Sequence, residues 1–211
     1  MVKQDLIKLN LGCGGRALDG WINVDYALGA VVAKFPLFSA INRRFRFFVT
    51  NWDKDILIHD LRKHFPWKDN SVDIIYSSHT LEHFYKEEGL YFLKECYRVL
   101  KFGGIIRILV PDLKCLVNHY ESGLISADDF LNELGVNYNT KGENFIKRIV
   151  TPYIHYPHKC MYDLQALTKV MDTVGFSVRQ SKPYESVIKD IAKIEREGRV
   201  QDAVIVEGNK K

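Results

Sequence analysis

The sequence predicts an α/β fold, in which a mostly parallel sheet is covered by helices. Near the start, an apolar run at 7–11 leads into a glycine turn, and a second run at Trp21–Val24 ends in Asp25. Over 72–110, an apolar run, a helical pattern and a nearly continuous apolar run follow one another. Strands that alternate with helices in this way are typical of parallel sheets, whose central strands are apolar on both faces.

The glycine turn Gly12-Cys13-Gly14-Gly15 stands between the first two predicted strands. Residues without a side chain let the backbone turn sharply and let a ligand lie against the peptide groups. The carboxylate of Asp25, at the end of the second strand, can accept hydrogen bonds from a ribose diol. Turn and acid together predict a site for a cofactor that contains a nucleoside.

The same turn satisfies the dinucleotide pattern G-x-G-x-x-G/A over 12–17. A dinucleotide site needs a helix N-terminus against the pyrophosphate and an acid about 20 residues further on. Here Asp19-Gly20 interrupts the chain, and Asp25 follows too soon for a full helix. A cofactor without phosphates therefore fits better. A dinucleotide-dependent oxidoreductase and a non-catalytic cofactor-binding module remain the alternatives.

Length and composition indicate one globular domain over 1–211, with a net charge of +4 that neither requires nor excludes an anionic partner. The four cysteines form no C-x-x-C pair, which favours a reducing, cytoplasmic location over a disulfide framework or a zinc knuckle. We expect no secretory signal, because the first residues are largely polar. No apolar run approaches the roughly 20 residues that cross a bilayer.

The middle of the chain supplies two further strands, a long helix and a fifth strand. In order, these elements are strands at Asp55–His59 and Val72–Tyr76, a helix at Leu81–Lys101 and a strand at Ile105–Val110. The apolar residues of the helix recur on one face, and Gly103-Gly104 predicts its end.

The last third of the chain supplies a capped helix and two more strands. Asp163 predicts the N-cap of a helix that ends at Gly175. Strands are predicted at Phe176–Gln180 and Ala203–Glu207, with a charged helix at Ser186–Glu197 between them.

Two segments depart from the alternation of strands and helices. Residues 26–52 are apolar and aromatic and then basic, and connections of this length are often functional. They are either a core-packing helix with a loop, or a segment that binds the acceptor or a membrane surface. Residues 113–160 follow the fifth strand and include helical patterns at Leu113–Glu121 and Asp128–Leu134. Because this insertion follows the carboxyl end of a strand, where ligands bind, we interpret it as a lid; an accessory helical pair is the alternative.

With these elements in order, the chain resembles class I S-adenosylmethionine-dependent methyltransferases of the small type 11 branch. This branch includes predicted methyltransferases often encoded near cell-surface glycan genes. The resemblance is carried by LNLGCG with GWINVD, HDLRKHFPWKDNSVDIIYSSHTLEH, LKECYRVLKFGGIIRILVPD and HKCMYDLQALTKVMDTVGF. It implies a Rossmann-like, seven-stranded mixed sheet in the order 3-2-1-4-5-7-6, whose last strand is antiparallel. Helices would lie on both faces, with a helical lid after strand five.

The resemblance also implies which residues hold S-adenosylmethionine. They are Gly12, Cys13, Gly14, Asp25, Asp60, Leu61, Ser77 and Ser78. The glycine turn would face the methionine and the ribose, and Asp25 would hold the ribose hydroxyls. Asp60 would accept a hydrogen bond from the adenine amine, with Leu61 behind the ring. The two serines would line the methionyl end.

The chemistry implied is an in-line transfer of a methyl group from a sulfonium. The protein then supplies mainly proximity and alignment, which contribute up to about 7–11 kcal/mol. We expect the acceptor to be an oxygen, in preference to a nitrogen, of a small molecule or saccharide. A hydroxyl acceptor needs a general base, most often histidine. Among the histidines that follow predicted strand ends, we select His79 and His158 as catalytic.

We expect neither a metal site nor a nucleic-acid acceptor. The stretch His79–His83 matches the zinc-protease signature H-x-x-E-H, but it lies within the methyltransferase pattern. His155, His158 and Cys160 are possible zinc ligands that lack a fourth at a clear spacing. The [D/N/S]-P-P-[Y/F/W] loop, which resembles that of enzymes that methylate amino groups of nucleic acids, does not follow strand four. The basic residues are dispersed along the chain and form no single stripe that would bind a nucleic acid.

Overall fold

The computed structural model describes residues 6–35, 52–135 and 157–211. The strands are β1 (Lys8–Leu11), β2 (Ile22–Asp25), β3 (Leu57–Ile58), β4 (Val72–Ser78), β5 (Leu100–Pro111), β6 (Phe176–Gln180) and β7 (Ala203–Lys210). They form one sheet in the order β3-β2-β1-β4-β5-β7-β6. Strands β1 to β5 run parallel to one another, and β7 is antiparallel to both β5 and β6. The predicted Rossmann-like fold class and strand order are therefore confirmed.

The described helices are mostly short. They are α1 (Leu28–Ala33), α2 (Lys86–Val99), α3 (Leu113–Glu121), α4 (Ala127–Glu133), α5 (Leu164–Val174), α6 (Ile191–Ile194) and α7 (Glu197–Val200), with a 3₁₀ turn at Leu81–His83. Helix α5 begins and ends as the sequence predicts. Asp163 accepts a hydrogen bond from the amide of Ala166 at 2.7 Å, and Gly175 ends the helix with φ +113°.

Both faces of the sheet are buried. Successive side chains of a strand point to opposite faces, so the apolar residues of one strand pack in two separate clusters. On β5, Ile106 and Ile108 pack in one apolar cluster, together with α2 and α5. Leu109, on the opposite face, packs in a second cluster with residues of α6 and α7. Helices therefore cover both faces, as the fold class requires.

Arg107 lies in the middle of β5 and is completely buried. Its guanidinium donates to Glu195 Oε1 at 2.7 Å and to Glu207 Oε1 at 2.9 Å. It also donates to the hydroxyl of Ser181 and to the carbonyl of Lys182, each at 2.8 Å. These bonds fix the segment that carries α6 against the sheet.

Strand β5 starts earlier than the sequence predicts. Helix α2 ends at Val99, and the strand runs from Leu100 through Gly103-Gly104, which were expected to end the helix. The reason is tertiary: Val72 of β4 already pairs with Leu100, and the register shifts before Ile105.

Two other boundaries differ from the predictions. The third strand is limited to Leu57–Ile58, and the predicted helix at Ser186–Glu197 is replaced by α6 and α7. Arg107 constrains this stretch from both sides, because it bonds to the carbonyl of Lys182, which precedes the stretch, and to the side chain of Glu195 near its end.

The two unusual segments are described in part. Helix α1 occupies the start of 26–52, and residues 36–51 lie outside the described residues. Helices α3 and α4 match the helical patterns predicted at the start of 113–160, and residues 136–156 lie outside the described residues. The lid and the membrane contact remain predictions. Within the described parts of the chain, no helix is long and apolar enough to span a membrane.

Candidate cofactor-binding site

A cavity of about 1060 Å³ opens at the carboxyl ends of four parallel strands. Gly12 follows β1, Asp25 ends β2, Asp60 follows β3 and Ser78 ends β4, and all four line the cavity. The cavity lies where β1 is flanked by β2 and β4, which is the point where the strand order reverses. Ligands of open α/β sheets bind at such a point.

The glycine turn is held tightly beneath this cavity. Gly12 has φ +75°, and its amide donates to the carbonyl of Val24 at 2.9 Å. A Cβ atom on Gly12 would lie 2.0 Å from Oγ1 of Thr80, so both conformation and space require glycine here. The described stretch between β1 and β2 contains no helix, as the sequence predicts. Burial raises the pKa of Cys13 to about 12, so this side chain stays a thiol.

Asp25 is anchored by the backbone on both sides. Its Oδ2 accepts from the amide of Gly14 and its Oδ1 from the amide of Ala27, each at 2.8 Å. Burial raises the pKa of Asp25, and these amide hydrogen bonds oppose the shift. Each carboxylate oxygen keeps a second lone pair for a hydroxyl donor, which fits a ribose diol.

Asp60 is held by its neighbour Arg62. Nε and Nη2 of Arg62 donate to the two carboxylate oxygens at 2.9 Å each. Burial alone would raise the pKa of Asp60, but the hydrogen bonds and charge of Arg62 outweigh it and lower the pKa. Asp60 is therefore an ionised acceptor at the cavity wall, and Leu61 beside it is buried and lines the same wall.

The two serines after the middle of β4 have different surroundings. Ser77 is buried and donates to the carbonyl of Leu11 at 3.1 Å, so it joins β4 to β1. Ser78 lines the cavity, whereas Ser77 is absent from the described lining residues. Of the pair, Ser78 has the better position to contact a ligand.

The two histidines selected as catalytic also differ in position. His79 lines the cavity; its Nε2 lies 2.9 Å from the carbonyl of Arg199 and its Nδ1 lies 3.5 Å from Oε1 of Glu82. His158 is not among the described lining residues and packs against His83, with ring centroids 5.1 Å apart. Burial lowers the pKa of His79 to about 4 and also lowers that of His158, so both rings are neutral at pH 7.

Several cavity residues were not predicted from the sequence. Thr80 packs against the glycine turn and lines the cavity. Its position directly after the fourth strand is the feature of the sequence that could have indicated this. Lys193, Arg196 and Arg199 reach the cavity from α6, α7 and their connection. No local pattern marks these basic residues, because their position depends on contacts between the sheet and a distant part of the chain.

Comparison with known proteins finds a family model that matches part of the chain. Residues 9–108, which span β1 to most of β5, match the type 11 family model described as a methyltransferase domain. No curated protein matches the chain. The expected link to glycan genes finds no support in these matches.

Solved structures share the architecture at low sequence identity. One is a SAM-dependent methyltransferase from Archaeoglobus fulgidus, with 17% identity, a TM-score of 0.52 and coverage of 99% of this chain and 87% of that one. Another is the PH0226 protein from Pyrococcus horikoshii OT3, with 16% identity, a TM-score of 0.55 and coverage of 100% and 84%. At these identities the likeness concerns the fold.

Proposed function

We propose that this protein is a methyltransferase that uses S-adenosylmethionine and transfers the methyl group to an oxygen of a small molecule or saccharide. The observation that carries the proposal is the helix-free glycine turn at the switch point of the sheet, with Asp25 and Asp60 at the neighbouring strand ends. The family match over 9–108 supports methyl transfer.

The residues of the cavity fit this cofactor. The cofactor, when bound, supplies a methyl group already activated on a sulfonium. The anchored carboxylate of Asp25 would accept hydrogen bonds from the ribose hydroxyls, and Asp60 would accept one from the adenine amine. The turn at Gly12 and Gly14 presents backbone to the methionyl portion. The chain thereby fixes the donor, which leaves orientation as its main contribution to the rate.

A dinucleotide fits the same cavity less well. A pyrophosphate is held by the N-terminus of a helix that starts at the glycine turn. The described residues place the first helix, α1, at Leu28–Ala33, after Asp25 and not after the turn. The cavity therefore lacks, among the residues described, the helix end that a pyrophosphate requires.

His79 is our proposed base for a hydroxyl acceptor. A carbonyl oxygen can only accept, so Nε2 of His79 carries the proton that it shares with Arg199. Its Nδ1 then holds the lone pair that accepts a proton. The neutral ring at pH 7 is the form that a base needs. Because His158 lies behind His83 and not among the described lining residues, we assign it no direct role in proton removal.

Calorimetry and turnover test this function on the full chain. We expect S-adenosylhomocysteine to bind with a Kd of about 1 μM, or about −8 kcal/mol, and NAD to bind far more weakly. Tight NAD binding would contradict the proposal. Transfer of labelled methyl to a panel of hydroxyl compounds, with amines as the comparison, would then separate an enzyme from a module that binds the cofactor without consuming it.

A further inference from the structure

Beside the cavity, three side chains that can ligate a metal converge. Glu82, His83 and His158 each offer a ligand atom, and these atoms all lie within 4.8 Å of one another. The first two belong to the 3₁₀ turn after β4, and the third lies in the segment before α5. The backbone ties the two segments together, because the amides of Lys159 and Cys160 donate to the carbonyl of Glu82 at 2.7 and 3.1 Å.

The carboxyl group of Glu82 is the feature that needs an explanation. It is completely buried, and neither oxygen has a hydrogen-bond partner among the described residues. The nearest described ionisable contact is Nδ1 of His79 at 3.5 Å. Buried polar groups are almost always satisfied, and a carboxylate left without a partner is costly, so a cation at this point would compensate the charge.

Both histidines are oriented by backbone carbonyls. Nδ1 of His83 lies 3.3 Å from the carbonyl of Pro157, and Nδ1 of His158 lies 2.9 Å from the carbonyl of Leu134. Because a carbonyl can only accept, each Nδ1 carries the proton and each Nε2 carries a lone pair. Metal-bound histidines typically donate their other N–H to such a carbonyl, which fixes the ring.

We propose that Glu82, His83 and His158 bind one divalent transition-metal ion, with Zn²⁺ as the occupant. Two imidazoles and one carboxylate are a zinc ligand set, and three protein ligands leave a fourth position for water. Ligand atoms at about 2.0–2.2 Å from a tetrahedral ion lie about 3.4 Å apart, so small rotamer changes would close the set. Since His83 lines the cavity, the ion would lie at the cavity wall.

This site differs from the two metal patterns dismissed on sequence grounds. In H-x-x-E-H the ligands are the two histidines of one helix, and the glutamate is catalytic. Here Glu82 is itself a ligand, and His158 comes from a distant part of the chain. The sequence-based expectation of no metal site is thus replaced by a proposal that depends on tertiary contacts.

Zinc titration of the full chain, purified in chelator and then desalted, tests the site. We expect calorimetry to show one tightly bound equivalent of Zn²⁺ that is lost, or weakened at least tenfold, in Glu82→Gln and in His158→Asn. His119→Asn is the matched control, because His119 belongs to a second group with Cys115 and Asp202 that is more exposed. An unchanged tight equivalent in both Glu82→Gln and His158→Asn would overturn the proposal, as would a loss of that equivalent in His119→Asn alone.

A measurement on the wild type keeps the test independent of how the variants fold. A ligand that binds only the native state raises the unfolding temperature, and the stabilisation grows with the logarithm of the ligand concentration. Zn²⁺ should therefore raise the Tm of the wild type, and a Tm that does not change with Zn²⁺ would refute the site. Binding of S-adenosylhomocysteine, measured in the same preparations, reports on the proposed methyl transfer separately, since the cofactor residues are not the metal ligands.

Discussion

Gly12 and Gly14 allow two reasons for glycine in the turn to be separated: a left-handed backbone conformation and a lack of space for a side chain. Both have positive φ, +75° and +65°, so an alanine at either position incurs the left-handed penalty of about 1–2 kcal/mol. Only at Gly12 would the new Cβ also collide with Thr80, at 2.0 Å from Oγ1. Overpacking of this kind adds about 1–3 kcal/mol. We therefore expect Gly12→Ala to lower the free energy of unfolding by about 2–5 kcal/mol and Gly14→Ala by about 1–2 kcal/mol.

The same pair separates stability from cofactor binding. Nothing lies within 4 Å of a Cβ on Gly14, which lines the cavity, so Gly14→Ala should occupy ligand space. Urea unfolding measures the first effect, and calorimetry with S-adenosylhomocysteine measures the second. The double variant Gly12→Ala/Thr80→Ala should recover part of the stability, because it removes the atom that collides. If Gly12→Ala proves no less stable than Gly14→Ala, the crowding argument is refuted.

Three further predictions concern charged groups. Asp25→Ala should weaken binding of S-adenosylhomocysteine roughly ten- to hundredfold in calorimetry, since hydrogen bonds to a charged group contribute about 1.5–3 kcal/mol, whereas exposed Asp19→Ala should not. Arg107→Met removes the ion-pair partner of buried Glu195, whereas Glu207 keeps its ion pair with Arg179, and should lower the free energy of unfolding by about 3–5 kcal/mol. Loss of the surface ion pair between Lys101 and Asp73 should cost less than about 1 kcal/mol. Hydrogen bonds from Arg98 lower the pKa of Glu95 below its ordinary value of 4.5. The stability that the ionised Glu95 contributes to the folded protein is therefore present above pH 4.5 and lost as the pH falls further. Glu95→Gln should thus be less stable than the wild type in urea unfolding at pH 7, and the difference should shrink in acid.

Each of these predictions has a result that contradicts it. If the Asp25 and Asp19 variants bind the cofactor with equal affinity, Asp25 does not contact the ribose. A stable Arg107→Met protein would mean that Glu195 finds another partner or solvent. A stability difference that stays constant between pH 7 and pH 3 for Glu95→Gln would show that the ion pair is not the source of its effect.

The sequence predicted the elements whose signals are local. The end of β1, the helix-free turn at Gly12 and Asp25 at the tip of β2 depend on neighbouring residues and on the short spacing between them. Helix α5 was predicted at both ends because the cap at Asp163 and the left-handed Gly175 act within one turn. The order of the strands came from the resemblance to a family, since local patterns carry no information on which strands pair.

The predictions that failed concern boundaries set by partners. Gly103-Gly104 resemble a helix stop, yet pairing with β4 extends β5 across them. The charged stretch at 186–197 looks helical, yet the bonds of Arg107 hold it as short pieces of helix. In both cases the energy of contacts with a distant strand outweighs a local preference worth about 1 kcal/mol.

By itself, the sequence determined the glycine turn, the acid beside it and the kind of sheet that presents them, because conformational limits and periodicity act between neighbours. Only the tertiary structure decided that the hydroxyl of Ser77 bonds to the carbonyl of Leu11 and that His158 packs against His83. It also decided that Glu82 is buried without a described hydrogen-bond partner. The physical reason is that burial and charge compensation depend on which side chains meet in space. Those neighbours are supplied by segments that lie far apart along the chain.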